Sequence, residues 1–493
     1  MGLWSTVADF LFGRSGSNAP LKAKYDAAQT TTGMKQHWAA ADALDADSAN
    51  SRDVRQKLVN RSRYETNNNG HLKGITLTQA NYVVGRGPVL RMQTATPGFN
   101  AFVESAWRSW SAKIHLARKL RTAIKAKVQD GEAFLLAKQN PGLNDFVKMD
   151  VVGIECDQIQ SPQMPYGEQY RIDGIKFDEY GNPLWYDVLP YHPGGSWWQV
   201  IAKPDQVPAK FVFHLFREDR PGQHRGIPET TPTLNLSGQS RRYREATIAA
   251  AENIASFSLF LRTLATPEDG ADLVRPLSTM PIEKGMMVAL PAGYEGYQPK
   301  AEQPTASYEA FTRAQLCEQA RPLNMPYNIA ACDSSDYSFS GGQLDHLTYF
   351  VSVDVERADT EDRILEPLFV LWFEEAARQY GWSGWDQLPS HSWDWPARPQ
   401  IDVEKVANAR KTSLSYGGTS LRRIYAEDGL DVEEELAAMA GDLGITVDEL
   451  RAKIADVIFA KGGTPTQQPT QNQNNQPANA SDVLDRMLIR GRL

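Results

Sequence analysis

From Arg52 the chain takes on a helical pattern. Leu58, Tyr64, Leu72, Ile75 and Tyr82 recur at rough helical spacing until the turn formers Gly85, Gly87 and Pro88 in VVGRGP. A second helix is predicted over about 101–128. Trp107, Trp110, Ile114, Ala117, Leu120, Ile124 and Val128 form its apolar stripe, and Arg108, Lys113, Arg118, Lys119, Arg121, Lys125 and Lys127 crowd the rest. A face so basic can bind phosphates, although a charge-rich helix surface is usually just solvated. Asp130 to Glu132, DGE, then turns into the strand AFLLA. From 149 to 216 the period becomes two. Ile175 and Phe177 before DEYGNP, and Leu184, Tyr186 and Val188 after it, make a hairpin around Gly181, Asn182 and Pro183. KFVFHLF, 210–216, is a further strand.

The loop REDRPGQHRGIP leads into a long helix over about 234–264, charged in its first half (RRYRE) and apolar in its second (IASFSLFL). Residues 265–304 are broken by prolines and glycines and hold the short strand GMMVAL. The helix resumes at Ser307 and runs to about Asn324. A polar loop follows, DSSDYSFSGGQ, 333–343. After it Leu344, Leu347, Val351, Val355, Ala358, Leu365, Leu368 and Trp372 mark a helix reaching about Tyr380, which at 1.5 Å per residue spans roughly 55 Å. Pro367 should kink or break it near Glu366. Residues 401–460 hold three helical segments, two with capping signatures at Asp431/Glu434 and Thr446/Glu449. Residues 15–50 read as a partly ordered arm. Residues 462–480, rich in Gln, Asn, Pro and Thr, read as a flexible linker to the amphipathic, net basic peptide SDVLDRMLIRGRL.

Length and composition are those of a globular protein of two or three domains. The net charge of −8 weighs against a protein whose main task is to grip nucleic acid, but not against one that lets DNA slide past. Cys156, Cys317 and Cys332 make no disulfide framework, in keeping with synthesis in a reducing cytoplasm. No run is long and apolar enough for a membrane span. The start MGLWSTVADFLFGR is a poor signal peptide and reads as a docking arm, although Gly2 and Thr6 fit a loose myristoylation pattern. The expectation is a soluble, non-secreted chain.

A search for chemistry returns no convergent reactive set. Ser338 and Ser340 lack a G-x-S-x-G elbow, and His346 is on a different helix face from Leu344 and Leu347. The histidines, His192, His214, His224 and His391 among them, are scattered without metal-ligand spacing, so no metal and no cofactor are expected. Gly85 and Gly87 lack the rest of a nucleotide fingerprint, and there is no Walker A motif. Trp393 to Trp395, WDW, reads as a packed aromatic corner. A large, well-patterned chain without chemistry suggests a mechanical or assembly protein and no enzyme.

Four stretches, in order, resemble the portal proteins of tailed bacteriophages, lambda-type branch. They are RQKLVNRSRYETNNN with NYVVGRGP, GIKFDEYGNPLWYDV, RPGQHRGIP, and GMMVALPAGYEGYQP followed by DSSDYSFS, together covering about 50–380. The chain departs from the family's Asn-Tyr-Ser-Ser-like run at Asp336 and Phe339. The resemblance implies an α+β portal fold with long helices and a small β-rich part. Its expected divisions are an arm (1–50), wing (51–233), first stem helix (234–264), clip (265–304) and second stem helix (305–324). A tunnel loop (325–343), long wing helix with its connection (344–400), crown (401–460) and linker with C-terminal peptide (461–493) complete it.

The resemblance further implies a ring, usually of twelve copies, at one capsid vertex, through which double-stranded DNA is packaged and later ejected. Its partners would be the terminase large subunit, head-completion or adaptor proteins, and the major capsid and scaffold proteins. It would nucleate head assembly in the host cytoplasm and join head to tail in the virion. Channel-facing candidates are Asp333, Ser334, Ser335, Asp336, Tyr337, Ser338, Phe339 and Ser340, with Gly341 and Gly342 as loop hinge. Terminase- or adaptor-facing candidates in the net acidic clip are Glu268, Asp269, Asp272, Arg275, Glu283, Lys284 and Glu295. Arg220, Gln223 and Arg225 mark the loop before the stem. Another ring-forming capsid adaptor or scaffold component would equally lack catalytic residues. A serine hydrolase would need Ser338 or Ser340 to be chemically special.

Overall fold

The computed structural model describes residues 43–161, 170–195, 203–256, 260–263, 294–297, 307–335, 337–382, 388–398, 403–428 and 430–459. The chain divides into two units, 1–49 and 50–493. In the first, helix α1 (Ala46–Ala49) starts at Asp45, whose carboxylate accepts the Ser48 N–H at 3.0 Å.

In the second unit the helical run expected from Arg52 is two helices, α2 (Arg52–Asn68) and α3 (Gly70–Val84). Asn69 leaves the helical region at φ −115° and its side chain takes the His71 N–H at 3.2 Å. It thus closes one helix and caps the next. Tyr64 faces solvent, while α2 buries Arg55, Val59, Ser62, Glu65 and Thr66, a largely polar face. After β1 (Val89–Met92) the second expected helix is also a pair, α4 (Pro97–Lys113) and α5 (Leu116–Asp130), broken where His115 turns left-handed at φ 55°. Its apolar stripe holds: Trp107, Trp110, Ile114, Leu120, Ile124 and Val128 are all buried.

Gly131, left-handed at φ 87°, passes the chain from α5 into β2 (Glu132–Gln139). Then come β3 (Met149–Ile154), β4 (Arg171–Ile172), β5 (Ile175–Phe177), β6 (Pro183–Val188), β7 (Asp205–Pro208) and β8 (Val212–Phe216). They form the antiparallel sheets β3-β2-β8 and β4-β5-β6-β7, the latter containing the expected hairpin. β2 separates two cores. Alternation sends Ala133 and Leu135 into the large core with the helices, and Phe134 and Leu136 into a smaller one with Ile175, Tyr186 and Val188.

Helix α6 (Leu234–Ser256) ends short of the expected 264, because the chain enters β9 (Phe260–Thr263), paired antiparallel with β10 (Tyr294–Tyr297). A ladder partner and strand-favouring aromatic and Thr residues prevail over the helical pattern there. The expected strand GMMVAL lies outside the described residues. Helix α7 (Tyr308–Ala320) lies against α6, with Ser240 hydrogen-bonded to Gln315 (2.9 Å) and Gln319 (3.0 Å), and Tyr243 stacked on Tyr308. A short α8 (Tyr327–Ala331) precedes the polar loop.

The long helix is present as α9 (Phe339–Thr360), a π-helical turn (Glu361–Leu365) and α10 (Glu366–Tyr380), so the distortion expected at Pro367 begins a turn earlier. The positions that mark this helix in the sequence split between two environments. Leu365, Leu368 and Trp372 are buried, whereas Leu344, Leu347, Val351 and Val355 are exposed. The cause is the π turn, whose extra residue rotates the helix by about 100° relative to an unbroken α-helix. β11 (His391–Asp394) pairs with β1 and brings in the aromatic corner. Trp393 packs on Trp107 and Phe369, and its indole N–H reaches Glu366 at 2.7 Å, while the Trp395 indole reaches Glu361.

Residues 403–459 fold as four helices where three were expected: α11 (Val403–Ser415), α12 (Leu421–Glu427), α13 (Val432–Leu443) and α14 (Val447–Phe459). Both capping signatures form. Asp431 accepts the Glu433 and Glu434 N–H groups, and Thr446 and Glu449 cap each other.

Candidate functional site

The polar loop is shorter than its sequence suggested. Cys332 ends α8 left-handed at φ 54°, and Ser338 already caps α9, its Oγ accepting the Gly341 N–H at 3.2 Å. Gly341 and Gly342 therefore sit in the first turn of α9 and are not a loop hinge; the cap at Ser338 draws them into the helix. Asp333 accepts the Ser335 N–H at 3.0 Å and the Ser335 hydroxyl, and these bonds hold its carboxyl below the usual range. Arg313 of α7 lies 4.4 Å from the Tyr327 ring and 5.9 Å from the Tyr337 ring, tying the loop to the helix before it. Burial, then the charge of Asp345, push the Tyr337 phenol up. Ser334, Ser335, Ser338 and Ser340 are exposed. Among its described residues the loop thus presents the hydroxyls of Ser334, Ser335, Ser338 and Ser340 outward, with the Asp333 carboxylate half-buried beside them. Asp336 and the side chain of Phe339 lie outside the described residues.

Two buried ionic nodes hold the second unit together away from the apolar stripes. The first explains RPGQHRGIP. Arg225, 2% exposed, grips Glu132 through Nε at 2.9 Å and Nη2 at 2.6 Å and donates through Nη1 to the carbonyls of Asp173 (2.5 Å) and Ile159 (3.3 Å). Glu132 also accepts the Gly226 N–H and His214 Nε2, each at 3.1 Å. Burial opposes a charge on Glu132, but the Arg225 guanidinium, the His214 hydrogen bond and Arg55 hold its carboxyl far below the usual range. Burial in turn lowers His214, which serves as a neutral donor. Gln223, also buried, binds the Arg225 carbonyl at 2.9 Å and takes the Asp219 and Arg220 N–H groups. Gln223 and Arg225, singled out as site residues, are thus supports of the fold, while Arg220 is exposed.

The second node joins α5, the entry to α6, and α9. Lys127, 1% exposed, sits 2.6 Å from Glu356 and 3.1 Å from Glu229, and Arg217 reaches Glu229 at 2.6 Å. Burial would lower Lys127, but the carboxylates more than offset it, and burial raises Glu229 against the pull of Lys127. No apolar periodicity signals these charges; a lysine in a basic run and isolated glutamates look like surface.

The basic face of α4 and α5 is largely committed within the chain. Arg108 pairs with Glu434, Lys113 with Asp145 and Lys119 with Asp150, and Arg121 donates to the Gly85 carbonyl. The fold also gathers Glu155, Asp157 and His192, with His192 Nε2 3.3 Å from Asp157 and 3.4 Å from Glu155. Arg63 reaches the same carboxylates at 2.7 and 3.2 Å and supplies the positive charge a metal would bring. Of the clip candidates, Glu295 lies in β10 opposite Arg262 in register. Glu268, Asp269, Asp272, Arg275, Glu283 and Lys284 lie outside the described residues.

In sequence, the paired helices α6 and α7 flank the strand pair β9-β10 and are followed by a hydroxyl-rich loop and a long helix broken by a π turn. The lambda family of phage portal proteins matches residues 31–356, and the chain belongs to it. It is thereby a phage portal protein, a component of the channel at a capsid vertex, in a family that is structural and not enzymatic. Solved structures similar to it include the neck of an empty gene transfer agent (GTA) particle, with TM-score 0.44, 13% identity and coverage of 77% of this chain and 94% of that one. The virion of a native GTA particle gives TM-score 0.41 and 13% identity over 76% and 93%. An HK97 family phage portal protein from Corynebacterium diphtheriae gives TM-score 0.30 and 12% identity over 65% and 91%. A comparison with curated proteins finds no match.

Proposed function

We propose that copies of this chain, twelve in the expected ring, enclose a channel through which double-stranded DNA enters the head and later leaves it. The observation that carries this reading is the family match across 31–356, which takes in both paired helices, the loop and most of α9. Asp333, Ser334, Ser335, Tyr337, Ser338 and Ser340, with Asp336 and Phe339, form the collar around the duplex. An edge of hydroxyls and carboxylates without lysine or arginine neutralises no phosphates, so it guides a duplex without holding it. α6 and α7 are the stem, and 265–304 the clip on which the terminase large subunit and then head-completion proteins dock. Coat and scaffold proteins meet the outside of the ring in the host cytoplasm, before the finished virion forms. The chain has no catalytic role of its own; the Ser338 hydroxyl is already engaged as a helix cap.

Electron microscopy of the purified protein tests the reading. Rings with a central hole are expected, and a compact monomer at every concentration would sink it. For the collar, deleting 334–337 leaves the Ser338 cap intact and should spare ring formation while impairing packaging or retention of DNA. Failure of rings to form would make the loop a structural joint. A fluorophosphonate probe that labelled Ser338 would overturn the non-enzymatic assignment.

A further inference from the structure

Helix α9 is apolar on more than one side. Tyr349, Phe350 and Val353 are buried against the rest of the chain, and Tyr349 donates to Gln79 at 2.6 Å. Another face carries Leu344, Leu347, Val351 and Val355, which are 64%, 53%, 65% and 57% exposed. Their spacing of three and four residues makes them one continuous stripe. A second apolar stripe left exposed beside a face already buried is surface offered to a partner. Among the described residues no helix is long and apolar enough to cross a membrane, so protein is the cover that fits.

We propose that this stripe is the seam against which the next copy of the chain packs, through a different surface of that copy. The proposal rests on the channel reading above. A channel made of repeated chains crowds its copies most where the circumference is smallest, beside the channel. α9 starts at Ser338, in the collar itself, so its first turns lie in that zone. A ring is closed by head-to-tail contacts, so one patch on each copy must meet a non-identical patch on its neighbour. The stripe offers a few hundred Å² of apolar surface, large for a feature left to water and a substantial part of the roughly 800 Å² that one side of a standard interface buries. Asp354, beside Val355, is already paired with Arg398 within the same copy.

The test is the doubly substituted chain Leu347→Asp/Val351→Asp, with Tyr180→Asp as control at an exposed hairpin tip, sized by mass photometry across concentrations. The expected result is a folded, monomeric double variant while the control forms rings, with affinity between copies lowered more than about 30-fold. Rings of the double variant at wild-type concentrations would overturn the seam and leave the channel reading standing. A wild-type chain that never forms rings would overturn the channel reading, and the seam with it. Should the double variant fail to fold, hydroxyl-radical footprinting of the wild type decides. Oxidation of Leu344, Leu347, Val351 and Val355 must fall severalfold on assembly, and unchanged oxidation overturns the seam.

Discussion

Replacing Arg225 by methionine keeps much of the side chain's bulk and removes the cation that faces Glu132. The Glu132 side chain is 0% exposed and loses both hydrogen bonds of the fork, at 2.6 and 2.9 Å. Breaking a buried pair from one side costs about 3–5 kcal/mol. Arg55, 3.7 Å away, and the His214 and Gly226 donors remain, so the loss should fall at the lower end, about 3 kcal/mol, or a hundredfold in the folding equilibrium. Urea unfolding of the monomer followed by circular dichroism measures it, with exposed Arg422→Met as control. The pH dependence supplies a second signature. In the wild type the depressed Glu132 contributes stability that is present above its unfolded pKa and lost as pH falls through the folded value. In the variant burial is less opposed, Glu132 takes up a proton more readily, and the gap between the two proteins narrows as pH falls from 7 towards the carboxylate range. Removing both charges, Arg225→Met with Glu132→Leu, should restore much of the loss. A single-variant cost no larger than that of Arg422→Met, or a double variant costing the sum of both singles, would refute the account of this loop.

Gly226→Ala should abolish folding or lower the melting temperature sharply, since its Cβ would lie 2.1 Å from the Gly131 carbonyl oxygen and 2.5 Å from its carbon, backbone that cannot step aside. Gly74→Ala, inside α3 with open space at its Cβ position, should instead stabilise by about 0.5–1 kcal/mol in thermal melts. Lys127→Met removes the buried cation between Glu229 and Glu356, leaves Glu229 only its Arg217 partner, and should cost about 3 kcal/mol in urea titrations at pH 7. Because burial already raises Glu229, protonation at lower pH relieves that loss, and a gap that widened on acidification would contradict the node. Ser338→Ala should cost about 1 kcal/mol of α9 stability, read by hydrogen exchange in its first turn, without preventing ring assembly.

The elements that could be read from the chain were those with local chemistry. The caps at Asp431 and Thr446, the hairpin at Gly181–Pro183 and the stripe from Trp107 to Val128 depend on neighbours in sequence, and all form. The break at His115 has no glycine or proline beside it to announce it, whereas the Asn69-Gly70 pair did carry a turn signal within the run read as one helix. The polar face of α2 escaped because hydrophobic periodicity is blind to buried Arg55, Ser62 and Thr66. Within the candidate site the four serines were legible as an exposed polar edge, with Asp333 half-buried beside them. The hold of Arg313 on Tyr327 and Tyr337 depends on α7 lying beside the loop, which no local pattern shows.

The π turn at Glu361–Leu365 acts as a phase shifter. It lets one heptad-like rhythm of leucines and valines serve an outward seam upstream and an inward core downstream, while the Trp393 and Trp395 indoles clamp its two ends through Glu366 and Glu361. Deleting a single residue there would return the helix to one continuous winding, and with the core downstream fixed, every residue of α9 would be dialled about 100° around its axis. The seam and the collar would then be re-aimed together, without a change to any of their side chains.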